Sequence, residues 1–135
     1  MPLPVSTKAG GMAMAMPDVC NTPSPAGPIP MPYPNTGQLA TADGVSLKVL
    51  VDSKEVVVES TKLPNSLGDQ AGTQGGLVSG TVGDQVTFKL YSSRVYVDGK
   101  KAVYLTATTA HNGSNPNAPM GSVLAPSQAK VLVEP

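Results

Sequence analysis

Short apolar runs divided by polar turns set the rhythm of this chain from about residue 45 onward. Val49-Leu50-Val51 and Val56-Val57-Val58 flank Asp52-Ser53-Lys54-Glu55, which reads as two β-branched strands joined by a tight hairpin. Apolar triplets, rather than strict alternation, predict strands with both faces partly covered. Arg94 to Leu105 repeats the order strand, Asp98-Gly99, strand, and an Asp-Gly pair tolerates the positive φ angles of a two-residue hairpin turn. Leu77-Val78 with Val86 to Leu90 predicts a further strand pair, and Ser122 to Val133 a last strand ending in Lys130-Val131-Leu132-Val133. Pro64 to Gly76 and Thr106 to Gly121 are rich in Asn, Ser, Gly and Thr and predict loops.

The hairpins form an internal repeat. Val49 to Val57 aligns with Val95 to Val103 at an offset of 46 residues, and Lys130 to Glu134 resembles the start of the same unit, cut off before its turn. Two units and a fragment are too few for a solenoid and fit a small β-structure with approximate internal symmetry. The predicted class is therefore all-β, a single domain over residues 1–135 with repeat units near 45–60 and 94–106 and a terminal strand at 127–135.

Proline adds a constraint at the other end. Residues 17–35 run Pro17-Asp18-Val19-Cys20-Asn21-Thr22-Pro23 into Gly27-Pro28-Ile29-Pro30-Met31-Pro32-Tyr33-Pro34-Asn35. Proline fixes φ and lacks the N–H, so this stretch is expected to be an extended strap over the β-core and not a helix or central strand. Tyr33 is expected to pack its ring on that core with its hydroxyl outward. Met12, Met14 and Met16 alternate and would share one face, lining the core or forming an apolar apex.

Charge changes the picture mainly by exclusion. Nine basic and nine acidic residues balance, which argues against binding nucleic acid or a membrane through charge. Fourteen glycines and fourteen prolines with one phenylalanine and no tryptophan suit a turn-rich β-protein. The single cysteine excludes an internal disulfide. No apolar run reaches the roughly 18 residues of a membrane span, and Met1 to Met16 lacks the apolar core of a signal peptide.

Candidate chemistry is sparse. Cys20 reads as a small buried hydrophobe and His111 as a loop residue making hydrogen bonds. No third residue completes a Cys–His nucleophilic pair, Ser66, Ser79 and Ser114 lack a nucleophile-elbow setting, and no glycine run forms a phosphate loop. The expectation is a protein that is not an enzyme. The alternative function is a small metal-binding module centred on Cys20 and His111.

Several motifs, in order, resemble a known family. They are Met16-Pro17-Asp18-Val19-Cys20, Thr22-Pro23, Gly27-Pro28, Pro30-Met31-Pro32-Tyr33-Pro34-Asn35, Gly68-Asp69-Gln70-Ala71-Gly72, Val78-Ser79-Gly80, Val95 to Lys100, and His111-Asn112. Over roughly residues 10–115 the series resembles the PAAR-like tip proteins of type VI secretion systems and related contractile injection machines. The resemblance implies a small β-cone with approximate threefold internal repetition, whose base plugs a trimeric VgrG-type spike, one chain per trimer, and whose apex meets the target membrane. Such a protein is made in the cytoplasm, assembled on the spike, and delivered outside the cell or into a target cell, with effectors as possible partners. The repeat valines Val49, Val51, Val95, Val97, Val131 and Val133 are the implied spike-docking candidates.

The family's name-giving Pro-Ala-Ala-Arg is replaced here by Lys101-Ala102-Val103-Tyr104. The family's structural zinc is held by three histidines and a cysteine. This chain has one of each, so Cys20 and His111 are the metal candidates, with Asp18 as a third ligand. The recognised pattern leaves only Asn115 to Pro135, too short for a toxin domain.

Overall fold

Two pairs of residues reverse the chain with positive φ at both positions: Asp52 and Ser53 at 51° and 68°, Asp98 and Gly99 at 53° and 79°. That is the mirror-image two-residue turn whose twist matches its flanking strands. The computed structural model describes residues 2–135, and Met1 lies outside the described residues. Thirteen strands and one short 3-10 turn are present among them. In order they are β1 (Leu3–Pro4), β2 (Met12–Thr22), β3 (Ile29–Gln38), the turn Leu39–Thr41, β4 (Leu50–Val51), β5 (Lys54–Glu55) and β6 (Lys62–Leu63). Then come β7 (Gly75–Gly76), β8 (Val86–Phe88), β9 (Tyr96–Val97), β10 (Lys100–Lys101), β11 (Thr108–His111), β12 (Ala118–Ala125) and β13 (Leu132–Val133).

The predicted hairpins are β4–β5 and β9–β10, paired Leu50 to Glu55 and Tyr96 to Lys101. The truncated third unit is completed by the other end of the chain. β13 pairs antiparallel with β1, Leu3 opposite Val133 and Pro4 opposite Leu132, in the register of the two hairpins. After each ribbon the return strand runs inward to a common axis. There three backbone hydrogen bonds close a ring: Ser6 N–H to Val103 carbonyl (2.8 Å), Val103 N–H to Val57 carbonyl (3.1 Å), Val57 N–H to Ser6 carbonyl (2.9 Å). Bridges Val5–Tyr104, Thr7–Val56 and Val58–Ala102 repeat the same cycle. Each ribbon is entered through an equivalent cap. Ser46 Oγ, Ser92 Oγ and Gln128 Oε1 accept the N–H of Val49 (3.2 Å), Val95 (3.0 Å) and Val131 (2.8 Å). This is the approximate threefold repetition, made by one chain.

Above this base stands an antiparallel sheet in the order β3-β2-β12-β11-β8-β6, with β7 continuing beyond β12 along β2. Bridges Thr36–Leu67 and Asp43–Lys62 bring the β6 side back to β3 and its following turn, so the sheet wraps on itself into the small all-β cone. Its interior is filled by small and branched side chains, among them Ala13, Leu39, Leu63, Val86, Phe88 and Val123. Gly37 must lack a side chain, because a Cβ there would sit 2.6 Å from Leu63 Cδ1.

The strap is more deeply built in than the prolines predict. β2 is an interior strand with Pro17 in its middle. The pairing with β3 shifts register between Ala15 and Asp18, a bulge that absorbs the missing donor. β3 is the edge, where alternate N–H groups face away from the partner strand. Pro30, Pro32 and Pro34 occupy that outward series. Thr36, next in it, donates outward to Leu67 carbonyl at 2.7 Å.

Other expectations are corrected too. Leu77 and Val78 are exposed and lie outside any strand, and β8 pairs with β6 and β11 instead. The predicted loop 106–121 contains β11 and the start of β12, and the terminal strand shrinks to Leu132–Val133. Ala13 and Ala15 face the core while Met16 is exposed, so packing selected the small residues of the alternation.

Ser53 holds a positive φ with a side chain, which costs an L-residue roughly 1–2 kcal/mol, whereas glycine forfeits about 0.5–1 kcal/mol of chain entropy. Ser53→Gly is therefore expected to stabilise the protein by up to about 1 kcal/mol in denaturant titration. Because the third ribbon joins both chain ends, a permutant opened between Asp98 and Gly99, with Pro135 linked to residue 1, is expected to fold with unchanged circular dichroism.

Candidate functional site

Alternation along the distal half of β2 turns Asp18 and Cys20 inward, and both are fully buried. Neighbouring elements supply the rest of a polar hub: Asn35 from β3, His111 and Asn112 from the end of β11, Asn117 just before β12, and Ser66 and Asp69 from the long loop. Asp69 is brought in by two glycines of that loop. A Cβ on Gly68 would lie 2.0 Å from Pro34 carbonyl oxygen, and one on Gly72 2.4 Å from Cys20 Cβ.

Asp18 is the centre. Its Oδ2 accepts from Asn35 Nδ2 at 3.0 Å, and its Oδ1 accepts from Asn112 Nδ2 at 3.3 Å and from Asn117 Nδ2. None of these amides can turn over. Asn112 Oδ1 takes the Asp84 N–H (3.1 Å), and Asn117 Oδ1 takes the Val78 N–H (2.8 Å). Asn35 Nδ2 also donates to Ser66 Oγ (3.0 Å), which leaves its Oδ1 to accept from His111 Nδ1 (2.7 Å). His111 thus carries its proton on Nδ1, and its bare Nε2 accepts from Thr109 Oγ1 at 2.8 Å. The imidazole is neutral, and burial pushes its pKa down to about 4 against the pull of the Asp18 charge.

The acids are unequal. Burial works against the charge on Asp18, but hydrogen bonds from Asp69, Asn117, Asn112 and Cys20 outweigh it and hold its carboxyl below the usual value. Asp69 is pushed up to about 6, first by burial and then by its hydrogen bond to Asp18. Burial, reinforced by the charge on Asp18, raises the Cys20 thiol to about 12, so it is protonated and inert as a nucleophile. Its Sγ lies 3.5 Å from Asp18 Oδ1 and 3.9 Å from Asp69 Oδ2.

The three atoms of Asp18, Cys20 and Asp69 come within 4.8 Å of one another, a spacing that could gather a cation. The family's zinc of three histidines and a cysteine is not matched by the surrounding groups. Both nitrogens of His111 are engaged with Asn35 and Thr109. Two pinned amides also aim N–H groups at Asp18 and the sulfur. Of the residues expected from sequence, Asp18 and Cys20 meet directly, while His111 is joined to them through Asn35. Sequence reasoning left out Asn35, Asp69, Asn112 and Asn117 as site residues, although the first three lie in the motifs that carried the resemblance.

At the base, Val49 and Val131 are exposed, Val51, Val95 and Val97 half-buried, and Val133 buried. The positions between them are Leu50, Tyr96 and Leu132, exposed by 57%, 58% and 50%. They occupy matching places in the three ribbons.

The toxin PAAR-like domain profile matches residues 11–118, and the chain belongs to that family. It is 33% identical over 117 residues to the DNase toxin Tse7 of Pseudomonas aeruginosa, a match covering 80% of this chain and 30% of that protein. The chain thus spans under a third of that relative's length. No solved structure matches. The expectation of no catalysis draws no support from a relative that is a DNase toxin. Among the described residues no helix is long and apolar enough to cross a membrane.

Asn112→Ala or Asn117→Ala would leave the buried Asp18 short of a donor. Each is expected to cost about 1–3 kcal/mol in denaturant unfolding, against under roughly 0.5 kcal/mol for Thr36→Ala, whose side-chain bond is exposed.

Proposed function

We propose that this chain is the tip of a contractile injection spike of the type VI kind, seated by its three-ribbon base on a trimeric VgrG-type protein. The observation that carries this reading is the matching exposure of Leu50, Tyr96 and Leu132 on three ribbons related by the closed hydrogen-bond ring. A threefold partner offers three equivalent surfaces, and a single chain can satisfy all of them only by repeating its own. The sheet edges of the ribbons, with Val49 and Val131 beside them, are suited to continue the strands of such a partner. The opposite end, stiffened by the polar hub and proline edge, would lead, puncturing the target membrane as the spike is driven out of the cell.

The DNase relative favours a second role for the same domain. Most of that protein lies outside the matched region, so a PAAR-like tip can be the carrier part of a longer toxin, with the enzymatic activity residing elsewhere. In this reading the domain brings an effector to the spike.

Mixing the purified chain with a trimeric VgrG-type spike is expected to give one chain per trimer by multi-angle light scattering. Leu50→Asp, Tyr96→Asp and Leu132→Asp should each weaken binding about tenfold or more without unfolding the chain, and all three together should abolish it. A different stoichiometry, or indifference to the triple change, would count against the docking face. Assaying DNA cleavage by the chain alone separates the carrier role from an intrinsic nuclease.

A further inference from the structure

We infer that Asp18 and Asp69 share one proton, carried on Asp69 Oδ1, and that this proton rather than a metal ion balances the hub. Asp69 is fully buried, its Oδ2 accepts the Gly83 N–H at 3.2 Å, and its Oδ1 is buried without a hydrogen-bond partner when the acid is ionised. A lone pair stranded in this way needs a donor or a cation. Asp18 is built as the anion: two pinned amides and Asn35 donate to it, and a cation at the same place would face those N–H groups. A carboxylic acid on Asp69 fills the gap, donating to Asp18 beside the three amides and the Cys20 thiol. Two like carboxyls side by side in a dry interior hold one proton between them for the same reason.

The groups facing the pair fit this state. Cys20 stays a thiol, His111 is neutral through its bonds to Asn35 and Thr109, and Asp84 enters through its backbone, with its N–H on Asn112 and its carbonyl on Ser66. A hub closed by a proton needs no zinc to hold its distal end together, which departs from the histidine-rich centre of the resembled family.

The two acids then respond differently to the same change. Asp69→Asn places an amide N–H where the acid proton sits and keeps an oxygen for Gly83. Asp18→Asn sets an amide NH2 against the NH2 of Asn35 in one orientation and against those of Asn112 and Asn117 in the other. Linkage adds a second readout. Asp69, with its folded pKa raised, contributes stability that is lost as pH rises through about 6. His111, with its folded pKa lowered, contributes stability that is lost as pH falls from about 6.5 toward about 4. Over that window the two oppose each other, and Asp18 loses its contribution only below the ordinary carboxyl range.

The experiment is thermal unfolding of the full chain, Asp18→Asn and Asp69→Asn from pH 4 to 7, with zinc measured in each purified protein. The expected result is a wild-type midpoint nearly flat from pH 4 to 6.5 and no equimolar zinc. Asp69→Asn should lie within about 3 °C of wild type at pH 4 to 5, where Asp69 holds its proton, and rise above it toward pH 7. Asp18→Asn should fall by about 10 °C or more, or fail to fold. Equal damage from both substitutions, or one zinc per chain lost in Asp69→Asn, overturns the inference.

Discussion

A ring of three backbone hydrogen bonds, Ser6 to Val103 to Val57 and back to Ser6, is the constraint on which this fold rests. Each strand in the ring is short, and a two-residue ribbon has little stability alone. Closing the ring makes every ribbon depend on the next, so three marginal pairs become one base. It also explains why the N-terminal residues, which carry no turn signal, are ordered: Leu3–Thr7 supply the return strand that Leu132–Val133 lacks.

The distal end is organised by the opposite chemistry. Where the base buries Val5, Val56, Val57, Val58 and Val103, the upper sheet buries Asp18, Asn35, Asp69, His111 and Asn112. Such a network is tolerable only when nearly every member has a partner, and here backbone N–H groups of Val78, Gly83 and Asp84 fix the amides and acids that meet at Asp18. Loops that would otherwise move are tied to β2 by polar bonds with defined directions. Proline edge, bulge and hub all stiffen the same half of the molecule.

The ribbons were readable in the chain because Asp98-Gly99 and the valine triplets encode turn and strand within a few residues. The upper sheet was not, since β11 and the start of β12 look like loop sequence: Thr108 to His111 and Ala118 to Gly121 are strands only because they pair with each other and β11 pairs with β8. Pro17 misled for a similar reason. A bulge lets a proline sit inside a central strand, and nothing local announces the bulge. At the site, Cys20 and Asp18 stood out by type, whereas Asn35, Asn112 and Asn117 are ordinary loop residues until the fold sets their amides around one carboxylate. The repeat located the ribbons, but the one-residue step between Leu50 and Val51 decides which side chain faces out, and that depends on the register.

The proline series of β3 has a consequence for the molecule in bulk. Pro30, Pro32 and Pro34 leave an outer margin with carbonyls and no donors until Thr36, whose N–H is already taken by Leu67. A neighbouring copy approaching that margin finds only half of a ladder, so sheet growth from one molecule to the next stalls at the first rung. The long border of this β-rich protein is thus closed to edge-to-edge pairing by its own sequence.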